Sequence, residues 1–264
     1  MAHTPRLGRP VVALAVAVGL GLLAYGGGNV LALWVVLLLG SLGIEFTPRI
    51  MIIVSVFTIQ LVAFVGVSIA YLRYRNYTLA DIGVTLPSLE GWIAIGVGFI
   101  SVLVLWFLAA VATFIISLRF GIEQPTQDLI RMGQQDPTIF IMMAILSVLI
   151  VGPAEELLFR GIIQTRLRET YGVVSGLTLA TALFALIHLP GFSESGLIPA
   201  LLGVFGLFVV GSVLAISYEY TGNLIVPAVI HGLFNAAQGL LGYFSVHFGD
   251  DVQLFLSLMS NLPV

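Results

Sequence analysis

The chain has no cysteine and no lysine. Without cysteine there is no disulfide framework, no thiolate nucleophile and no cysteine metal site. All ten basic residues are therefore arginine, and they form no patch. That excludes nucleic-acid binding. Charge of either sign is scarce: 9% of 264 residues are charged, against about 25% in a soluble domain. Hydrophobic residues make up 59%, and the mean hydropathy is +1.11. A soluble chain of this composition would expose large apolar patches. Disorder requires the opposite balance. What remains is an all-α, polytopic membrane helix bundle. At about 20 residues per span, the length accommodates about eight transmembrane helices. No linker or repeat divides residues 1–264, so they read as a single integral membrane domain.

The rare charges delimit the spans. No Arg, Asp or Glu occurs between Arg9 and Glu45, a stretch of about 52 Å as one helix. The run Gly26-Gly27-Gly28-Asn29 is a turn signal in its middle. Two short spans are expected, about 11–25 and 29–45. The first lacks the small-residue cleavage site of a signal peptide. Further spans are expected at Ile50–Leu72, Gly91–Leu118, Thr138 to Glu155, Val173–Leu189, Ile198–Tyr218 and Asn223–Phe248. Asn223 is a candidate cap, with Pro227 in the first turn. Within the polar segment Arg119–Pro137, residues 126–135 suit a short interfacial helix. Val252–Leu262 is too short to span. Arg6, Arg9 and Arg49 favour a cytoplasmic N-terminus, although Arg73 and Arg75 then fall on the opposite side.

Ionisable groups inside spans are costly and point to function. Three places qualify. Glu155 and Glu156 close an 18-residue charge-free run, followed by Arg160. Glu156 and Arg160 are i and i+4 in the favourable order for an ion pair. Glu155 lies about 100° round the helix and is free to face something else. A juxtamembrane salt-bridge cluster would explain the same residues. His188 ends a second apolar run, one turn after Phe184. A structural histidine bonding a carbonyl is the alternative there. His231 and Asn235 share one face of a third span, where polar residues also serve as helix glue. Gly232 and Gly239 on that span permit close approach of another backbone or a substrate. Converging on one cavity, Glu155, His188, His231 and Asn235 have the chemistry of a hydrolytic site: a carboxylate base for water and donors for an oxyanion. The same histidines and glutamate are also of the type that holds Zn²⁺. His-Glu-x-x-His, the common zinc protease motif, is absent.

The motifs Glu155-Glu156-x-x-x-Arg160-Gly161, Phe184-x-x-x-His188 and His231-x-x-x-Asn235, in this order, resemble the CAAX protease and bacteriocin-processing (CPBP, or Abi) family. That family includes the type II CAAX prenyl endopeptidases. The resemblance covers about residues 139–240, and Leu79-Ala80-Asp81-Ile82-Gly83-Val84 resembles a shorter family motif. It implies an intramembrane endopeptidase with its site in an intramembrane cavity. Glu155 would activate water with His188 assisting, and His231 and Asn235 would stabilise the oxyanion. Glu156, Arg160 and Phe184 would support them. It implies a membrane-bound or lipidated peptide substrate, for instance a prenylated one, in a multi-pass cell-membrane protein. The family is described both as metalloprotease and as metal-free. No cofactor is favoured, and zinc on Glu155, His188 and His231 is the alternative. Other functions for such a chain are a non-proteolytic scaffold or immunity protein of the same fold, and a small proton-coupled transporter.

Overall fold

A computed structural model describes residues 8–260. His3 and Arg6, and residues 261–262 of the expected tail, lie outside them. Eight helices follow one another: α1 (Gly8–Ser41), α2 (Pro48–Arg75), α3 (Leu89–Phe120), α4 (Asp128–Gln135), α5 (Thr138–Tyr171), α6 (Val173–Ile187), α7 (Leu197–Thr221) and α8 (Ile225–Ser260). Six of these are long and apolar enough to cross a membrane, and α6 is a shorter apolar helix. The polytopic helical bundle is as expected; the number of crossings is smaller than the expected eight.

The difference begins at the first span. The expected turn at Gly26–Asn29 is absent, and α1 is one continuous helix. A turn at bilayer depth would leave backbone N–H and C=O groups unpaired in lipid, whereas a continuous helix pairs them all. Gly28 lies against α2, where an added Cβ would stand 2.8 Å from Ile59 Cα. Asn29 bonds its own helix, donating to the Tyr25 carbonyl at 2.8 Å.

Caps fix the other ends. Thr47 and Pro48 open α2, and Asn76 closes it in the left-handed region at φ 57°. Ser88 caps α3, and Asn223 Oδ1 accepts from Ile225 N at 2.9 Å, as expected of that residue. A short helix forms within residues 126–135, as α4.

Contacts between helix ends define two faces. On one face Tyr171 donates to the Pro10 carbonyl at 2.7 Å, Arg168 pairs with Glu219 at 2.7 Å, and Arg75 lies 3.9 Å from Glu169. The α2–α3 loop docks there on the α7–α8 turn, with Leu224 N donating to the Gly83 carbonyl at 3.0 Å. Gly83 has φ 77°, and a Cβ there would collide with the Gly222 carbonyl. On the opposite face Arg49 pairs with Asp136, Arg131 with Glu194, and Ser193 with Asp128. Arg49 and Thr138 hold the Asp136 carboxyl down to about 2. With α1 as one span, Arg73 and Arg75 fall on the face where α1 begins, and Arg49 falls on the other. This reverses the sides expected for these residues.

Of the apolar clusters that fill the bundle, two hold the most buried residues. Ala17, Phe64, Leu158, Phe159 and Phe184 join α1, α2, α5 and α6. Val102, Leu214, Ile230 and Phe234 join α3, α7 and α8. Large apolar side chains such as Trp92, Val97, Phe107 and Ile115 point outward from α3. Such a belt suits lipid rather than water. The protein is an integral membrane protein.

Candidate active site

The site is built around the middle of α5. Glu155 was expected at a span end, but the helix continues for four more turns to Tyr171. It can do so because Glu156 and Arg160 neutralise each other one turn apart, so charge does not force an exit. Two π-helical stretches, Ser147–Val151 and Leu157–Gln164, flank the regular turn Gly152–Glu156. The first ends just before Pro153, whose missing N–H interrupts the regular ladder. Such wide turns cluster at functional sites.

Glu155 and Glu156 are both buried, at 4% and 0% exposure, and face different partners. Glu156 Oε1 lies 2.8 Å from His231 Nδ1, and its Oε2 lies 3.2 Å from Arg160 Nε. Arg160 also donates to the Gly211 carbonyl at 3.1 Å, and its guanidinium lies 4.5 Å from the centre of the Phe184 ring. Unpaired, such charges would cost several kcal/mol each to bury. Gln164 continues the line, donating to the Ala215 carbonyl at 3.1 Å. Phe184 packs edge-on to His231 and Phe159 and leans on His188. A Cβ on Gly211 would meet the Phe184 ring at 3.0 Å, so glycine lets α7 approach.

Glu155 turns to α2, α6 and α8. Gln60 Nε2 donates to its Oε1 at 2.8 Å. Its Oε2 lies 3.6 Å from His188 Nε2 and 3.8 Å from His231 Nε2. Partners assign the tautomers. His188 Nδ1 is 2.7 Å from the Phe184 carbonyl, which only accepts, so Nδ1 carries hydrogen. His231 Nδ1 faces a carboxylate oxygen and carries hydrogen likewise. In the neutral rings both Nε2 atoms are then lone pairs. Three acceptors converge on one point, and Glu155 Oε2 has no hydrogen-bond partner. A donor is required there: a shared proton or a water molecule that donates to two of them. His188, 31% exposed at its side chain, is the most open member.

The expected residues Glu155, Glu156, Arg160, Phe184, His188 and His231 therefore come together. Asn235 lies one turn beyond His231 on α8 and is half-buried, with no side-chain hydrogen bond among the described residues. Gly232 and Gly239 do admit a backbone: Cβ atoms there would stand 2.8 Å from Val148 Cα and 2.7 Å from the Phe140 carbonyl oxygen. Gln60, Gln164 and Gly211 escaped the sequence reading. Gln60 alone carried a signal, as the one amide in the apolar stretch Val56–Phe64. A cleft of about 470 Å³ lined by Thr85, Glu90, Tyr220 and Asn223 belongs to the loop face and does not include these groups.

Zinc takes imidazole and carboxylate ligands in a tetrahedral set, and the donor types match. Among the described residues no group of three or more such side chains is placed to hold an ion.

Residues 137–237 match the family described as type II CAAX prenyl endopeptidase Rce1-like. The chain is similar to the uncharacterized protein YpbD of Bacillus subtilis, with 34% identity over 92 residues. That stretch is 35% of this chain and 41% of YpbD, so the chain spans less than half of that relative's length. No solved structure matches.

Proposed function

We propose that this chain, whose residues 137–237 carry the Rce1-like pattern of type II CAAX prenyl endopeptidases, is an intramembrane endopeptidase acting on membrane-bound, lipidated peptides. One observation carries the reading: a buried carboxylate oxygen lacking a donor, faced by two imidazole Nε2 atoms at 3.6 and 3.8 Å. A water placed there donates to Glu155 Oε2 and to His188 Nε2.

Glu155 takes a proton as the water oxygen bonds to the scissile carbonyl carbon. The carbonyl oxygen becomes an oxyanion. Asn235 Nδ2 donates to it, and so does His231 when it enters the cycle as an imidazolium, held by Glu156 on Nδ1 and keeping its Nε2 proton throughout. The proton then passes by way of His188 to the amide nitrogen, the C–N bond breaks, and a carboxylate and an amine leave. The scheme uses only this chain's own residues.

The face where α1 begins is read as cytoplasmic in the cell membrane. It holds Arg73, Arg75, Arg166 and Arg168 beside the N-terminal Arg9, whereas Arg49, Arg119 and Arg131 belong to the other face. Arginine excess marks the cytoplasmic side.

The test is cleavage of a library of farnesylated peptides by wild-type protein in proteoliposomes, beside a proton-flux assay on the same vesicles. Cleavage unaffected by a zinc chelator is expected. Loss with chelator and recovery with Zn²⁺ would replace the metal-free scheme. Flux without cleavage would replace the enzyme with a carrier, and neither would leave a scaffold.

A further inference from the structure

We propose that Gln60 of α2 is a positioning residue that decides which oxygen of Glu155 does the chemistry. The inference rests on the endopeptidase reading. Gln60 lies outside residues 137–237, so it enters the site from a part of the chain the family match does not reach.

The geometry is asymmetric. Gln60 Nε2 occupies Glu155 Oε1 at 2.8 Å, and Oε2 alone faces both imidazoles. A carboxylate without that donor turns about its terminal torsion, which is broad and nearly two-fold, and presents either oxygen. The amide cannot be reversed, because its carbonyl would then face an ionised carboxylate.

A structural explanation of Gln60 fares poorly. Its other end, Oε1, is buried with no partner. An unmet polar atom of this kind costs about 1–3 kcal/mol. An apolar side chain would serve packing better in a span of mean hydropathy 2.6. The local backbone also favours the aimed position. Gln60 is the central residue of the π-helical stretch Val56–Phe64, and a wide turn shifts the register of the face beyond it.

The experiment compares wild type, Gln60→Leu, Gln60→Glu and Glu155→Gln in proteoliposomes on one farnesylated fluorogenic peptide. Melting in detergent is followed in parallel. Gln60→Leu loses the donor and also the orphaned acceptor, so its melting temperature stays near that of wild type. Its kcat falls about 10- to 100-fold, the cost of a misplaced reacting group, while KM changes less than about twofold. Gln60→Glu has the same shape with no donor in its ionised form, and it loses kcat at least as far. A Gln60→Leu protein with wild-type kcat, beside an inactive Glu155→Gln, overturns the inference and leaves the endopeptidase reading standing. A loss that tracks KM or melting temperature also overturns it. Full activity in Glu155→Gln, or no cleavage by wild type, sinks the endopeptidase reading and this inference with it.

Discussion

Replacing Gly232 with alanine probes the seam between α5 and α8 at its tightest point near the site. The new Cβ would stand 2.8 Å from Val148 Cα and 3.1 Å from the Ser147 carbonyl oxygen. Both are backbone atoms of α5, so no side-chain rotation relieves the clash. Ordinary contact begins near 3.4 Å, so the two helices must part locally by about 0.6 Å. Overpacking of this kind costs about 1–3 kcal/mol. The neighbouring residue is His231, whose Nδ1 lies 2.8 Å from Glu156. The same displacement takes that contact to about 3.4 Å, outside the good range for an N–H···O bond. Gly232→Ala should therefore melt a few degrees lower in detergent and lose about 10²-fold in kcat. Gly239→Ala is the control. Its Cβ would meet the Phe140 carbonyl oxygen at 2.7 Å, but it lies about 10 Å further along α8 than Gly232. It should lose comparable stability and keep more of its activity. A Gly232→Ala protein with wild-type melting and wild-type kcat would refute the reasoning.

Other outcomes follow from the same geometry. Gly26→Ala and Gly27→Ala meet nothing within 4 Å and should raise melting, by about 0.5–1 kcal/mol each at helix interior positions, while Gly28→Ala, against Ile59, should lower it. Arg160→Leu leaves Glu156 buried without its partner, and breaking such a pair costs about 3–5 kcal/mol. A sharp drop in folded yield checks this, and Glu156→Gln should fall comparably, since it leaves the Arg160 guanidinium buried without its counter-charge. In this cysteine-free chain, single cysteines placed at Asn76 and Thr170 should react with an impermeant thiol reagent from one side of the membrane, and those at Gly43 and Gln124 from the other. The Asp136 carboxyl, held at about 2, contributes its strap to Arg49 above the ordinary range near 3.8 and loses it as pH falls through 2. The melting difference between wild type and Asp136→Asn should be nearly constant above about pH 4, shrink below it and vanish below about pH 2.

Most of the site was legible because charge is so scarce. Glu155, Glu156, Arg160, His188 and His231 stood out as ionisable groups against an apolar background, and helical spacing already paired Glu156 with Arg160. The spacing said nothing of which helices meet. Gln60 belongs to no motif and joins Glu155 only through the packing of α2 on α5. The π-helical stretches are equally silent, since they answer to tertiary fit around Pro153 and the α8 seam. Two span boundaries failed for one physical reason. A glycine run and a charge pair both read as chain exits by the rules of water, whereas lipid rewards an unbroken helix. That kept α1 whole through Gly26–Gly28 and carried α5 past Glu155. Correcting the first also put Arg73 and Arg75 on the face where α1 begins and Arg49 on the other.

The most direct measurement is kcat/KM of Glu155→Gln beside wild type on one farnesylated peptide, at matched folded yield in the same vesicles. The account predicts a fall of at least about 10³-fold, since the amide retains the shape of the side chain and cannot take a proton from water. Equal rates for the two proteins would contradict it.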